Sequence, residues 1–445
     1  MAPGSPSIAV TSLARALRVR GPTLAHDLRV QSGLSPATFT RTISRMRGDV
    51  LAVGATRSLV YALRRVIPGL PAQIPVVEMG LTRRFATLHP VEPSGFYVQG
   101  APHVHGSIWG FTPDLPWFLH DLRPAGFLGR LAPRQHPELH LPADLLLWSA
   151  DHVLRWLHEW GTDGVGNLLV GDPAFRRWQA SEADAVPEGE RSRRYPLLAE
   201  EAMSLGVPGS SAGGEQPKFL AMRGQTPVLV KFSPPTTNPI GRRTADLLRC
   251  EHHALVTLQR AGIPAASSVI IEGADRVFLE VERFDRIGRN ERLGLVSLLA
   301  VAAWCGADIH GWTAAADDLV ASGMITQADQ ERMYLLDRFG ALIGNTDRHA
   351  GNLSFFFVDG RVGALAPVYD MLPMRYAVRA GEYQTSPLPI PVPDPRFPSA
   401  WRQAWEMAIL FWTRVAEDVA IEDELRTVAV VNGAVLAGEG ARFTR

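Results

Sequence analysis

Asp347 and Asn352 stand five residues apart in the run Gly344-Asn345-Thr346-Asp347-Arg348-His349-Ala350-Gly351-Asn352-Leu353-Ser354. An aspartate at the head of such a loop can orient or deprotonate an acceptor hydroxyl. A neutral amide oxygen beside it can ligate a hard cation such as Mg²⁺. Asp370 follows, after Phe355–Val358 and Leu365-Ala366-Pro367-Val368-Tyr369, and supplies a second acidic residue from the end of a strand. Asp-x4-Asn with a downstream aspartate is a moderate signal for phosphoryl transfer. His349 reads as a residue that braces the loop rather than as a general base.

A nucleotide would need cationic and backbone partners upstream. The chain has 45 Lys and Arg residues, of which only Lys218 and Lys231 are lysine. Lysine is a compact point charge, arginine a broad planar fork. In an arginine-dominated chain, two lysines mark places that require the compact form. Lys231 ends the apolar run Val228-Leu229-Val230, the position of the protein-kinase strand lysine that reaches the α/β-phosphates. Lys218 closes Gly209-Ser210-Ser211-Ala212-Gly213-Gly214-Glu215-Gln216-Pro217, a loop whose backbone N–H groups can approach phosphate. Its pattern is neither the Walker sequence nor G-x-G-x-x-G. Ser210, Ser211, Gly213, Gly214, Lys218 and Lys231 are thus the candidate ATP contacts. A helix over about 243–260 places Glu251 where it can pair with Lys231, as in kinases. Val277–Asp285 is an apolar strand entering a charged turn, with Glu282, Arg283 and Phe284 as a hinge that could meet adenine.

The order is glycine loop, strand lysine, helix glutamate, hinge, Asp-x4-Asn, aspartate. It resembles the HipA family of bacterial Ser/Thr kinase toxins. The resemblance lies in Gly-Gly-x-x-Pro-Lys, Val-Lys-Phe, Val-Glu-Arg-Phe-Asp, Asn-Thr-Asp-Arg-His-x-Gly-Asn-x-Ser and Tyr-Asp-Met-Leu-Pro, over about residues 200–375. It implies a two-lobed kinase-like α+β fold, catalysis by Asp347, ATP held by Lys231, and Mg²⁺ held by Asn352 and Asp370. It also implies autophosphorylation at Ser210 or Ser211. The partners implied are a protein substrate, such as an aminoacyl-tRNA synthetase or another translation factor, and an antitoxin. The Asp-Arg-His-x-x-Asn stretch is also similar to the catalytic loop of phosphoinositide kinases. Antibiotic-type phosphotransferases share its logic, and a DNA-binding regulator with a degenerate kinase body is a further alternative.

The elements that must position these residues divide at about residues 70 and 285. Residues 1–66 carry ten arginines against Asp27 and Asp49, on a chain whose net charge is zero. The segment predicts helices over Val10–Val19, from a Thr23 cap to about Gln31, and from Pro36 to about Arg47 after a Ser35 cap. Val50–Val53 and Leu59–Leu63 flank a short wing. Helix–turn–helix with a wing on a basic segment is a double-stranded-DNA-binding arrangement. Thr38, Thr40, Arg41, Ser44, Arg45, Arg47 and Arg57 are its candidate contacts. Fusion of this segment departs from family members that leave DNA to a separate antitoxin, and matches longer homologues that carry their own module. Residues 71–285 read as a mixed α/β region and the upper lobe, with Glu182–Arg194 an exposed loop. Residues 286–445 read as a helical lobe. Cys250 and Cys305 form no metal or disulfide pattern, and the longest apolar run is too short for a membrane span. Both features predict a cytoplasmic protein.

Overall fold

The computed structural model describes residues 8–80, 82–181, 185–204, 216–288, 291–378, 384–386 and 388–443. The chain forms two compact units that interleave along the sequence. The first takes Met1–Leu122, Leu146–Gly164 and Leu168–Ala180; the second takes Arg123–Leu145, Val165–Asn167 and Ser181–Arg445.

The first unit begins with helices Ile8–Arg20, Ala25–Ser32 and Pro36–Arg45, then a hairpin of Val50–Val53 and Val60–Leu63. Leu13, Leu17, Leu28, Phe39, Met46, Val50 and Leu63 make one core from all of them. Ser35 caps the third helix as its sequence predicts, accepting the Thr38 N–H. Thr23 does not cap the second. It lies in a two-residue strand paired with Val60 and Tyr61, and its hydroxyl donates to the Gly21 carbonyl. A five-stranded antiparallel sheet follows, in the order Gly110–Thr112, Phe96–Gly100, Arg83–Pro90, Ile74–Glu78, Leu168–Val170. Helices Ala150–Trp160 and Asp172–Ala180 accompany it.

In the second unit the sheet order is Ser268–Gly273, Arg276–Glu282, Thr226–Phe232, Lys218–Arg223, Ala185–Val186. Alternation along the lysine strand sets its chemistry, because successive side chains face opposite sides of a sheet. Val228, Val230 and Phe232 pack with Tyr195, Phe219 and Phe278 beneath helix Arg191–Ser204. Lys231 therefore faces the other side, where Leu248 of the long helix Pro239–Arg260 packs on Leu279 and Val281. The strand that enters the hinge is internal to this sheet, between its neighbours Ser268–Gly273 and Thr226–Phe232. Helix Arg191–Ser204 overturns part of the exposed loop expected at 182–194. Arg191 is nearly enclosed because it donates to the buried Glu280 at 3.1 and 3.2 Å, a partner remote in sequence.

Beyond the hinge, strands Leu295–Ser297, Ser354–Val358 and Arg361–Leu365 form a small sheet. Helices Leu298–Cys305, Trp312–Ala321, Gln327–Leu342, Pro398–Glu417 and Asp423–Phe443 surround it. Trp312, Tyr334, Phe339, Phe411 and Trp412 are among its buried side chains. Among the described residues, no helix is long and apolar enough to cross a membrane.

Candidate active site

Lys231 is the centre of the site. Its strand pairs antiparallel with Lys218–Arg223 in a register that puts Lys218 directly opposite Lys231, so the chain's two lysines share one rung. Lys231 is 5% exposed. Its ammonium donates to both carboxylate oxygens of Glu251, at 2.6 and 2.8 Å, and also to Asp370 Oδ1. Burial alone would lower the Lys231 pKa, but the carboxylates of Asp370 and Glu251 outweigh it and raise it. At Asp370 burial acts upward, yet Lys231 and Lys218 hold the carboxyl below its usual range. Glu251 is almost wholly buried, and that burial pushes its carboxyl up against the pull of Lys231.

The catalytic-loop candidates come from the segment after helix Gln327–Leu342. Asn345 is buried and accepts the Asp347 N–H on its amide oxygen at 2.9 Å, while its NH₂ points at the Asp370 carbonyl. Asn352 closes the loop by donating Nδ2 to the Asp347 carbonyl at 2.9 Å. That bond fixes the amide so that its oxygen is the end left to ligate. Asp347 itself is exposed, as a residue meeting an incoming acceptor must be. His349 braces the loop: its ring accepts the Gly351 N–H at 3.0 Å, and its carbonyl accepts Trp312 Nε1 at 3.1 Å. Asp370 has φ +52°, a left-handed backbone that non-glycine residues seldom adopt and that recurs at functional sites. One carboxylate and one amide oxygen are hard donors of the kind Mg²⁺ takes.

The residues named for the hinge are committed in part. Glu282 pairs with Arg223, and Arg283 donates to Asp285 at 3.0 and 3.1 Å. The N–H groups of Glu282 and Arg283 donate to the Ser267 and Pro227 carbonyls. Phe284 faces Tyr369 with ring centroids 5.9 Å apart. Asp285 fastens the hinge. It accepts Gly166 N–H at 3.0 Å and Arg286 Nη1 at 2.6 Å, while Arg286 also donates to the Gly166 carbonyl. Burial acts upward on Asp285, but Arg283 and Arg286 hold its carboxyl below the usual range. Gly166 has φ +77°, and a Cβ there would meet Leu295 backbone at 3.0 Å.

Other supporting residues escaped the sequence reading. Asp337, eleven residues before Arg348 in the sequence, accepts Arg348 Nε at 2.9 Å and Thr313 Oγ1 at 3.0 Å, and also pairs with Arg338. Tyr369 links strand and loop by bonding Ser354 Oγ at 2.7 Å and the Gly351 carbonyl at 2.8 Å. Asn345 and Arg348 lie inside the recognised motif, so their spacing could have flagged them; Asp337 carries no such signal. Ser210, Ser211, Gly213 and Gly214 lie outside the described residues. In the basic segment, Thr40, Arg41, Ser44, Arg45, Arg47 and Arg57 are exposed and Thr38 is half-buried. The hydroxyls of Thr38 and Thr40 already bond within their helix, to Ser35 and to the Pro36 carbonyl.

Comparison with known proteins bears on the family and the fold. Residues 72–179 match the model of the YjjJ-like toxin middle domain, and residues 210–427 that of the HipA-like C-terminal domain. Toxin YjjJ of Escherichia coli (strain K12) is 37% identical over 426 residues, covering 93% of this chain and 94% of that protein. A solved Shewanella oneidensis MR-1 complex of HipA, HipB and operator DNA contains a chain with TM-score 0.53 at 14% identity. The match covers 83% of this chain and 97% of that one, and shows the kinase-like fold.

Proposed function

The chain belongs to the HipA family of toxins, and we propose from that premise that it is an ATP- and Mg²⁺-dependent Ser/Thr protein kinase with its own DNA-binding module. The observation that carries this reading is the buried Lys231 ammonium shared by Glu251 and Asp370. That arrangement is the one kinases use to hold the α/β-phosphates and the metal. The intact set of Lys231, Asp347, Asn352 and Asp370 favours an enzyme over a degenerate kinase body.

In this reading the Asn352 amide oxygen and the Asp370 carboxylate would hold Mg²⁺, which when bound would supply positive charge to the transferring phosphoryl group. Lys231 and Lys218 hold the nucleotide phosphates. Asp347 orients the acceptor hydroxyl and takes its proton. Phe284 and Tyr369 offer an apolar wall for the base. Ser210 or Ser211 is the self-modification site that the family resemblance implies, and a phosphate there would add roughly −1.5 to −2 charge.

The Shewanella HipA chain occurs in complex with HipB and operator DNA. Here the basic segment is part of the same chain, so we assign DNA contact to Arg41, Arg45, Arg47 and Arg57, with Ser44 beside them. The protein substrate belongs to the class the family resemblance implies, an aminoacyl-tRNA synthetase or another translation factor.

The test compares the full chain with Asp347→Asn. Both are incubated with ATP and Mg²⁺ and mapped by peptide mass spectrometry, and phosphosites are compared in cells expressing each. Asp347→Asn should keep its fold and nucleotide affinity and lose phosphate transfer, including that to Ser210 and Ser211. Transfer undiminished in Asp347→Asn would remove the catalytic assignment. Transfer confined to a small molecule would favour the antibiotic-type alternative.

A further inference from the structure

Glu251 can meet Lys231 only if helix Pro239–Arg260 stays in place. One side of that helix is held by residues 418–424, the turn after helix Pro398–Glu417 together with the first two residues of helix Asp423–Phe443. Arg242 Nε pairs with Glu422 Oε1 at 2.6 Å, and Arg243 Nη2 with Glu424 Oε2 at 3.1 Å. Asp246 Oδ1 accepts the Glu422 N–H at 3.2 Å. Seven residues on, His253 Nε2 meets Asp418 Oδ2 at 2.8 Å.

The geometry of an α-helix separates this seam from the catalytic contact. At 3.6 residues per turn, positions 242, 246 and 253 fall within about 40° of one another. Position 251 lies roughly 140° around from Asp246, and Arg243 marks the near edge of the seam at roughly 80° from position 251. The turn therefore grips one side of the helix while Glu251 leaves the other. Arg243 and Asp246 are 1% and 2% exposed, so an outward swing would strip charged groups of partners they hold in the interior.

Resting on the kinase reading, we propose that the 418–424 turn is a positioning element that locks helix Pro239–Arg260 in its active placement and so maintains the Lys231–Glu251 pair. Kinases regulated through the equivalent helix let it move. In this chain the seam fixes it from the helical lobe, and control must act elsewhere on the enzyme.

The test uses the Arg242–Glu422 pair, whose side chains are 40% and 37% exposed and so tolerate exchange. The variants are Arg242→Glu, Glu422→Arg, the double exchange, Asp418→Asn, and Arg242→Glu combined with Glu251→Gln. The first readout is hydrogen exchange of amides within 239–260 in the full chain, which requires no catalysis. The second is the split of ATP KM and kcat. Each single charge reversal should speed exchange in the helix and raise ATP KM about tenfold, and the double exchange should restore both. Added to Glu251→Gln, Arg242→Glu should change KM no further, because both act through one ion pair. Asp418→Asn, which keeps side-chain size, should show the same direction. Unchanged exchange in folded single variants, or full additivity with Glu251→Gln, would overturn the proposal. If exchange responds as expected but the unmodified chain transfers no phosphate, the kinase reading fails and the holding role of the turn stands.

Discussion

Asp246 offers a perturbation whose size follows from its surroundings. Its Oδ1 accepts the Glu422 N–H, and its Oδ2 has no hydrogen-bond partner among the described residues. Arg243, Arg249 and Cys250 face it from its own helix and Glu422 from the turn. Burial is the largest influence and raises the carboxyl from an ordinary 3.8 to about 7, against the Glu422 N–H and Arg243. The sign follows from proton binding: the folded chain holds this proton more tightly than the unfolded chain. The contribution of Asp246 to stability is therefore greatest below pH 3.8 and falls as pH rises, levelling off above about 7. At about 1.4 kcal/mol per pH unit the whole effect is roughly 4 kcal/mol, of which about 2 kcal/mol falls between pH 5.5 and 8.5. Asp246→Asn keeps the acceptor oxygen and cannot ionise. Urea unfolding of both proteins is measured at each pH, followed by hydrogen exchange of peptides around residue 246 so that the other unit does not contribute. Remaining titrations cancel in the difference. The variant should gain about 2 kcal/mol on the unmodified chain between those pH values. A difference independent of pH would refute the reasoning.

Lys231→Arg should lower phosphate transfer about 100-fold while circular dichroism stays unchanged, because a broad fork cannot occupy the point between Glu251 and Asp370. Near-normal turnover would remove the argument from lysine scarcity. Duplex DNA should bind the full chain with affinity that falls steeply with salt. Arg41→Ala and Arg45→Ala should each weaken binding and lower the salt slope by about 1. A slope unaltered in both variants would mean the exposed arginines are merely solvated.

What was legible in the sequence was what is local. Lys231 could be read because it is one of two lysines and ends an apolar strand, and Glu251 because a long helix follows at a fitting distance. The loop from Asn345 to Asn352 was legible as a motif, although the division of labour within it was not: Asn345 orients Asp347, and Asn352 ties the loop shut. Contacts between distant segments stayed hidden. Asp337 looks like any helix aspartate until Arg348 folds back on it, and nothing in residues 418–424 announces a partner near residue 242. Local rules also lost to tertiary pairing. Thr23 has the chemistry of a cap, but the strand containing Tyr61 claims its backbone. The charges of 182–194 suggest a loop, yet Arg191 serves the buried Glu280 at the start of a helix.

The Gly166–Asp285 clasp sets a schedule for biosynthesis. Its two halves are 119 residues apart, and the earlier one is made first. At roughly 5–20 residues per second the ribosome delivers Asp285 some 6–24 s after Gly166. Throughout that interval the 165–167 segment has been synthesised without the carboxylate that will receive it. A chain that starts at residue 181 would never complete this step. It would emerge with Asp285 and Arg286 facing each other but deprived of the peptide that both are built to hold.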